Sequence, residues 1–433
     1  MDVRPAPVDL SPRRLAWSPG IVLLNLGSLA VILWCVPAIW TLLPGPQRDL
    51  TDFYQEWGSA RSYWLGQPIY QDTAELVVRD FGPHLAGRKW LLGYNVHPPT
   101  AVVVAIPFGR LNYFSALHLW NFFGLLLALL SMIVVLVRVQ LAWAILPAVA
   151  WLCWSPHVRS QLILGQLNFL LLALICGIWL AIQNNRWRQA GVWMGVAAAI
   201  KVFPALLAFP FLVNGSRKGL KGVALGFLGS IAVTVLVLGT STFADYRLLV
   251  IPEAWEWRGA VTNASLPGLF AKLFDPGSRG GDYAPLVRLP GMARGLIAVT
   301  TLGFLAHWGW LCRRAETEDQ QRQIFSLGIV LALLLSPICW EHYLILLFPA
   351  MITFGLAASL RRGRLVIWLL LVSLLNLPTF RWSQMALSQL QRPITSLDLL
   401  GPPTLPLLGL LGVYALGVWT FPQTPPSKPA QES

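Results

Sequence analysis

Several acidic residues crowd into one polar segment, residues 44–97, of an otherwise apolar chain. Asp52 begins the stretch DFYQEWGSARSYWLGQPIY, in which aromatic and small apolar residues recur at helical spacing. An aspartate in this position can act as a general base that removes the proton from an acceptor hydroxyl. It can equally be the ordinary cap of a helix that begins there. Asp49, three residues earlier, is the alternative candidate for the base.

Two further pairs of polar residues stand where apolar runs begin. Tyr94 and His97 precede a Pro-Pro pair, which a helix accepts in its first turn. They are either interfacial anchors or members of a binding site shared with the acidic segment. Glu341 and His342 place an acid beside an imidazole between two later runs, where the pair is either structural or catalytic.

Four more polar residues are candidates for a binding site: three lie in apolar surroundings and one lies in a long loop. Gln166 and Asn168 form an amide pair that is costly at membrane depth unless satisfied, so it marks either helix packing or a polar ligand. Lys201 stands alone in GVAAAIKVFPALLAF and needs an anionic partner, unless it snorkels to the interface or forms a structural ion pair. Asn263 lies in a weak N-x-S glycosylation pattern.

Composition indicates that the bilayer is the solvent of this chain. Of its 433 residues, 56% are hydrophobic and only 12% are charged, whereas soluble proteins carry about 25% charged residues. The net charge of +13 comes with basic residues in short loops, which predicts membrane orientation rather than a nucleic-acid partner. The chain shows neither a P-loop lysine nor a dinucleotide glycine pattern. This disfavours ATP-driven transport and a cytosolic nucleotide-sugar domain.

The apolar runs predict an all-α polytopic membrane protein with about twelve spans, several of them short. A single membrane domain covers residues 20–421, between a cytoplasmic segment 1–19 and a disordered cytoplasmic tail 422–433. An amphipathic helix that follows Asp52 is expected in the first extracytoplasmic loop. The predicted spans are 20–43, 98–111, 113–138, 139–155, 162–183, 191–213, 220–240, 291–312, 324–340, 342–360, 365–380 and 403–421.

Loop charge predicts which side each loop faces. The basic loops 215–221 and 361–364 contain three Lys or Arg each and no acid, so they are placed in the cytoplasm. Loops 44–97 and 241–290 then face the opposite side, together with the corner at Glu341. Residues 139–213 resist this scheme, because Arg186 and Arg188 favour one side for their loop and simple alternation gives the other. A broken or re-entrant helix at residues 201–204 would remove the conflict.

The motifs taken together resemble glycosyltransferase family 87, the polyprenol-phosphate-mannose-dependent mannosyltransferases of the GT-C superfamily. The resemblance runs from about residue 20 to 360. Its pieces, in order, are D-F…A-R…L-G-Q-P-I-Y, H-P-P, G-Q-L-N, A-G-V-W-M-G-V-A-A-A-I-K-V-F-P, N-A-S-L-P-G and S-P-I-C-W-E-H-Y. It implies a GT-C fold that transfers a sugar, mannose or another hexose, from a polyprenyl phosphate to a lipid or cell-envelope glycan, extracytoplasmically and with inversion.

The resemblance also implies roles for individual residues. Asp52 would be the base, and His342 the motif histidine of the active site. Lys201 and a protonated His342 are candidates for stabilising the lipid phosphate that leaves, with Arg61 a weaker one. No cofactor is expected, although Asp49 with Asp52 could hold a divalent ion weakly. Two alternatives stay open: a transporter or flippase of a lipid-linked or small polar substrate, and a pentose (arabinofuranosyl) transferase of the same architecture.

Overall fold

The computed structural model describes residues 18–43, 50–82, 93–359 and 361–422. This part of the chain is helical and contains no β-strand, only an isolated bridge between Ala284 and Thr395. The α-helices, in chain order, are α1 Pro19–Leu42, α2 Phe53–Trp64, α3 Thr73–Phe81, α4 Pro99–Ala105, α5 Tyr113–Arg138, α6 Ile145–Trp154, α7 Pro156–Leu164, α8 Asn168–Gln183, α9 Trp187–Ile200, α10 Phe209–Val213, α11 Arg217–Leu238, α12 Ser241–Asp245, α13 Ile251–Trp255, α14 Leu266–Phe274, α15 Pro290–Arg313, α16 Glu318–Leu334, α17 Phe348–Ser359, α18 Arg362–Leu375, α19 Thr379–Ser388 and α20 Leu405–Trp419.

The long helices confirm an integral membrane protein. Among the described residues, six helical segments are long and apolar enough to cross a bilayer, or seven if the bent pair α18 and α19 is one span. Their outer faces are apolar and unburied, as on α1, where Trp34 is 79% exposed. The six are Pro19–Leu42, Tyr113–Arg138, Arg217–Leu238, Pro290–Arg313, Glu341–Ser359 and Pro402–Trp419. The total of about twelve spans counts shorter helices and stays a prediction.

The break predicted at residues 201–204 is present. Helix α9 ends at Ile200, Lys201 is extended (φ −147°, ψ 132°), and a 3₁₀ segment Phe203–Ala208 follows. Pro204 lies at the start of that segment, where a proline is tolerated because its missing N–H needs no partner there. Gly191 faces Gly219 and Gly195 faces Val223, so α9 and α11 run in the same direction and the chain between them reverses after Lys201. Helices α8 and α9 pack against each other as a hairpin joined by residues 184–186.

Glycines allow α9 to pack directly on α11. A Cβ added at Gly195 would lie 2.3 Å from the carbonyl oxygen of Val223, and one added at Gly226 would lie 2.1 Å from that of Val192. Gly191 and Gly222 are equally close to the facing backbone. Small residues four apart let membrane helices approach to backbone contact. The A-G-V-W-M-G-V-A-A-A segment is thus explained by a close helix crossing that fixes the position of the end of α9.

The basic turns gather at one end of the helices. The contact of Gly191 with Gly219 brings the start of α9 beside the start of α11, so Arg186 shares an end with the basic loop 215–221. Asn184 accepts a hydrogen bond from Arg138 (3.0 Å), and Asn185 donates one to Glu318 (2.8 Å). The conflict over residues 139–213 is therefore resolved: the turn at 184–186 lies with the other basic turns, because α9 and the segment after Lys201 run in opposite directions.

The first loop folds over the opposite end. The helix predicted to follow Asp52 is α2, and it packs along α4 and the 3₁₀ segment Ile106–Arg110. Trp57 and Trp64 of α2 donate to the carbonyls of Leu111 (3.1 Å) and Ile106 (2.8 Å). Both faces of α2 are largely buried, so packing defines this helix, and the amphipathic character expected in this loop stays a prediction.

Candidate active site

Asp52 occupies the N-cap position of α2 but its side chain does not cap the helix. Its Oδ2 instead accepts a hydrogen bond from Nε2 of Gln166 at 2.8 Å, and no capping bond of its side chain forms within the described chain. Asp72, in contrast, caps α3 in the ordinary way by accepting from the amide of Ala74 at 2.8 Å. The simple capping interpretation therefore fits Asp72 and does not fit Asp52.

The surroundings of Asp52 favour a carboxylate that takes up a proton more readily than usual. Burial raises the pKa of Asp52, and the nearby Glu56 carboxylate raises it further. The hydrogen bond from Gln166 and the charges of His97 and Lys201 act in the opposite direction without cancelling this shift. A general base needs this balance, because it must be ionised and still hold the proton it receives.

The G-Q-L-N motif is the support for Asp52. Gly165 ends α7 in the left-handed region (φ 67°), and a Cβ there would lie 2.6 Å from Cβ of Phe53. Only glycine combines that conformation with such a close approach. The Gln161 side chain donates to the carbonyl of Gln166 and accepts from Asn168 at 2.9 Å. The amide pair predicted as packing or ligand binding thus holds the loop that presents Gln166 to Asp52.

Glu56 is a buried carboxylate that the sequence analysis did not select. It follows Asp52 by one helical turn, so both carboxylates lie on the same face of α2. Its side chain is 1% exposed and forms an ion pair with Nδ1 of His97. The signal was available in the four-residue spacing of two acids. The burial of the Glu56 carboxylate could not be predicted from the sequence.

The Y-N-V-H segment is attached to α2 by hydrogen bonds. Asn95 donates to the carbonyl of Gln55 (3.0 Å) and to Ser59 (3.1 Å), and accepts from the amide of His97 (3.0 Å). The hydroxyl of Tyr70 donates to the carbonyl of His97 at 2.6 Å. These bonds hold the His97 ring in place against Glu56.

Lys201 and His342 meet at the ring of Tyr343. The ammonium of Lys201 lies 3.9 Å from the centroid of that ring, and the His342 ring packs edge-on against it at 5.1 Å. Lys201 is 7% exposed and His342 4% exposed. Nζ of Lys201 and Nε2 of His342 form no hydrogen bond within the part of the chain that the structure describes. Buried polar atoms left in this state are available to a polar ligand.

Charge links these residues to Asp52. The Lys201 ammonium lies close enough to both Asp52 and Glu56 for their charges to interact, and His342 is similarly close to Lys201 and His97. The structure therefore brings together six residues, namely Asp52, Glu56, Gln166, Lys201, His97 and His342. The group contains two carboxylates beside one lysine, so it offers both a proton acceptor and a cation.

Glu341 has different neighbours from His342. Its carboxylate accepts from Oγ1 of Thr379 (3.4 Å) and lies 3.9 Å from Nδ1 of His157. His157 in turn donates from Nε2 to the carbonyl of Leu375 at 2.5 Å. Glu341 thus lies against α7 and the junction between α18 and α19, and its contacts connect these helices.

Asn263 has its side-chain amide occupied by protein atoms. Its Nδ2 donates to the carbonyls of Arg258 and Pro337, both at 2.9 Å. Its Oδ1 accepts from Ser265 and from the amide of Cys339 at 2.9 Å. These bonds tie loop 241–290 to the S-P-I-C-W segment that carries His342. A role of Asn263 in substrate binding stays a prediction.

Of the three other candidate site residues, Arg61 and Tyr94 have partners other than Asp52, and Asp49 lies outside the described residues. Arg61 pairs with Asp80 through Nε at 3.2 Å and stacks over Trp57. Tyr94 packs in a small apolar cluster with Ile69, Tyr70, Val102 and Val250. Asp49, the alternative base, lies outside the described residues. Within those residues, no group of three or more His, Cys, Asp or Glu could hold a metal ion. That no cofactor is needed stays a prediction.

Comparison with known proteins identifies the family. The model of glycosyltransferase family 87 matches residues 95–337, which is more than half of the chain. The chain belongs to glycosyltransferase family 87 and is a membrane glycosyltransferase. The match includes His97, Gln166 and Lys201, and it neither begins early enough to include Asp52 nor extends to His342.

Curated relatives share lower identity over long alignments. The polyprenol-phosphate-mannose-dependent alpha-(1-2)-phosphatidylinositol pentamannoside mannosyltransferase of Mycolicibacterium smegmatis is 28% identical over 69% of this chain and 70% of its own. The phosphatidylinositol mannoside mannosyltransferase of the same organism is 26% identical over 89% and 87%. The crystal structure of ArnT from Cupriavidus metallidurans bound to undecaprenyl phosphate covers 94% of this chain and 78% of that one, at 14% identity and a TM-score of 0.36. That score is too low to support an inference.

Proposed function

We propose that this protein transfers a mannose, or another hexose, from a polyprenyl-phosphate donor to a hydroxyl of a lipid or cell-envelope glycan, with inversion. The observation that carries the proposal is the Asp52 carboxylate, which is held by Gln166 instead of capping α2 and lies in a buried group with Lys201. The relatives support the donor class, since polyprenol-phosphate-mannose dependence is part of their names. Their acceptors are phosphatidylinositol mannosides, which makes a glycosylated lipid the first acceptor to test.

The residues divide the reaction between a proton acceptor and a cation. The acceptor oxygen forms a bond to the anomeric carbon while Asp52 takes its proton. The bond between that carbon and the phosphate oxygen breaks, and its electron pair leaves with the polyprenyl phosphate. The growing charge on the phosphate is stabilised by Lys201, whose ammonium has no hydrogen-bond partner within the described residues. A single displacement of this kind inverts the anomeric centre.

His342 and the pair of Glu56 with His97 complete the site. Nε2 of His342 is buried and free to bind a sugar hydroxyl or a phosphate oxygen. Glu56 places a second negative charge beside Asp52 and so strengthens it as a base. Gln166 fixes the orientation of the carboxylate. In this proposal all of these groups act on the donor or acceptor directly or through Asp52.

The proposed site faces away from the cytoplasm. The basic turns lie at one end of the helices, and the group around Asp52 lies at the other. Basic loops favour the cytoplasmic side of a membrane. The proposal therefore places transfer on the extracytoplasmic face of the plasma membrane, where polyprenyl-phosphate sugars supply activation without a nucleotide.

The test is transfer by purified protein in lipid, supplied with labelled polyprenyl-phosphate sugars and cell-envelope extract. We expect Asp52→Asn to abolish transfer, because an amide cannot accept the proton, while the protein still inserts and accumulates normally. Asp72→Asn is the matched control and retains activity, since asparagine caps a helix as well as aspartate does. Full activity of Asp52→Asn would refute the assignment of the base.

The product distinguishes the proposal from the alternatives. Mass spectrometry of the labelled product should show an increment of one hexose. A pentose increment would indicate a pentose transferase of the same architecture. Movement of label into sealed vesicles without a glycosidic product would indicate a transporter or flippase, and would overturn the proposed function.

A further inference from the structure

A groove of about 440 Å³ lies between α5, α8 and α9, away from the residues around Asp52. Its floor is formed by small residues of α8 at four-residue spacing, Ala173, Gly177 and Ala181. Leu127 of α5 and Trp193 of α9 form its walls and are themselves partly exposed. The volume falls in the range of roughly 300–1,000 Å³ that is typical of ligand pockets.

One end of the groove is polar and basic. Asn184, Arg186 and Gln189 line it there, at the turn between α8 and α9. Arg138 reaches the same place and donates to Asn184 at 3.0 Å. No acid lines the groove, and within the described chain Arg186 takes part in no ion pair. Glu318 accepts a hydrogen bond from Asn185 at this turn and is paired with Arg322 at 3.4 Å.

We propose that this groove binds an anionic phospholipid, with an acyl chain against Ala173 and Gly177 and the phosphate at Arg186. The apolar part of the groove follows α8 from Leu170 to Ala181, which suits an acyl chain. Its cation, Arg186, lies at the level of the basic turns, where lipid headgroups are expected. Each of these features alone is common, but an anionic lipid is the membrane component that satisfies both. Basic pockets between membrane helices on the cytoplasmic side are suited to anionic headgroups.

The site is separate from the proposed reaction. Helices α8 and α9 run between the turn at 184–186 and the ends that carry Gln166 and Lys201, so the basic end of the groove lies at the end of the helices opposite to those two residues. The lipid here is a bound component of the fold and not the donor or acceptor. Binding of this lipid therefore does not depend on which sugar is transferred.

The experiment counts lipids bound to the full-length protein by native mass spectrometry in detergent. The protein is titrated with phosphatidylglycerol and, separately, with phosphatidylcholine of the same acyl chains. We expect one molecule of phosphatidylglycerol per protein to bind with higher affinity than phosphatidylcholine does. Arg186→Gln weakens that binding about fivefold, because it removes one cation near the headgroup. Gly177→Leu prevents the binding by filling the groove, and a Cβ at Gly177 would lie in ordinary van der Waals contact with Trp193 at 3.7 Å.

Two control variants carry the same kinds of substitution outside the groove. Lys218→Gln removes an exposed cation from the same end of the molecule, outside the groove, and Gly229→Leu adds a side chain to α11 where a Cβ meets nothing within 4 Å. Both retain the lipid. Equal binding of phosphatidylcholine, unchanged binding in Arg186→Gln and Gly177→Leu, or displacement of the lipid by an equal concentration of inorganic phosphate would each overturn the proposal.

Discussion

Asp52 and Asp72 are two aspartates of one loop at the starts of two consecutive helices, and they do different things. Asp72 bonds to its own helix, whereas Asp52 bonds to Gln166, which is 114 residues away in the chain. Residue type and position relative to the helix do not distinguish them, since the difference lies in a partner that the fold brings to Asp52. The resemblance to a family supplied the preference for Asp52, and the geometry now supplies a physical reason.

Glu56 should control the pH dependence of transfer through Asp52. Asp52 must be ionised to act as a base, so activity falls as the pH drops through its raised pKa. Glu56→Gln removes a neighbouring negative charge, which lowers that pKa. We therefore expect the acidic limb of the kcat/KM profile to move to lower pH. The exposed Glu75, on α3, is the control, and Glu75→Gln should leave the profile in place. An acidic limb that stays in place in Glu56→Gln would contradict this prediction.

Lys201 offers a second prediction at this scale, since three interpretations of it were open. Lys201→Met should lower kcat by about 100- to 1,000-fold, as when one group that stabilises a transition-state charge is removed. The thermal stability of Lys201→Met should change little, because the cost of burying an ammonium that forms no hydrogen bond within the described residues offsets its attraction to Asp52 and Glu56. Lys221→Met, at the opposite end, is the control. A large loss of stability in Lys201→Met would identify a structural ion pair instead.

At the scale of helices, the crossing of α9 and α11 determines where Lys201 lies. Gly195→Ala puts a methyl group 2.3 Å from the carbonyl oxygen of Val223, so the two helices must separate. We expect a loss of about 1–3 kcal/mol in stability, which is typical of overpacking, together with reduced transfer. Gly229→Ala on α11 should be neutral or slightly stabilising, since the added methyl meets open space. Thermal unfolding in detergent measures both. A Gly195→Ala protein as stable as wild type would contradict the crossing.

Helix-scale features were predictable to different degrees. The helix that follows Asp52 was expected from helical spacing, and the break at Lys201 was expected because it would remove the conflict between loop charge and the alternation of spans. The packing of residues 98–111 along α2 was not, because an apolar run of this length is equally suited to a membrane span and to a buried helix. The tryptophan hydrogen bonds that attach it to α2 depend on tertiary structure and leave no mark in local sequence.

At the scale of the whole molecule, composition and loop charge were sufficient to predict a polytopic membrane protein and its basic end. The side of residues 139–213 stayed open, because loop charge and the count of apolar runs disagreed about Arg186. The reason is physical: α9 is 14 residues long and the segment after Lys201 is shorter still, so neither looks like a full span, yet the chain reverses between them. Charge was the better guide there than the count of apolar runs.

The hairpin of α8 and α9 has a consequence for how the protein is made. Its helices have 16 and 14 residues, each short of the roughly 20 that a separately inserted span needs. The two are therefore expected to leave the translocation machinery as a pair, held by their three-residue turn. Gln166 and Lys201 flank this pair, so a single insertion event carries to the same membrane surface the two residues that we propose orient the base and stabilise the leaving phosphate. Gln166 and Lys201 then reach that surface in the same step of biosynthesis.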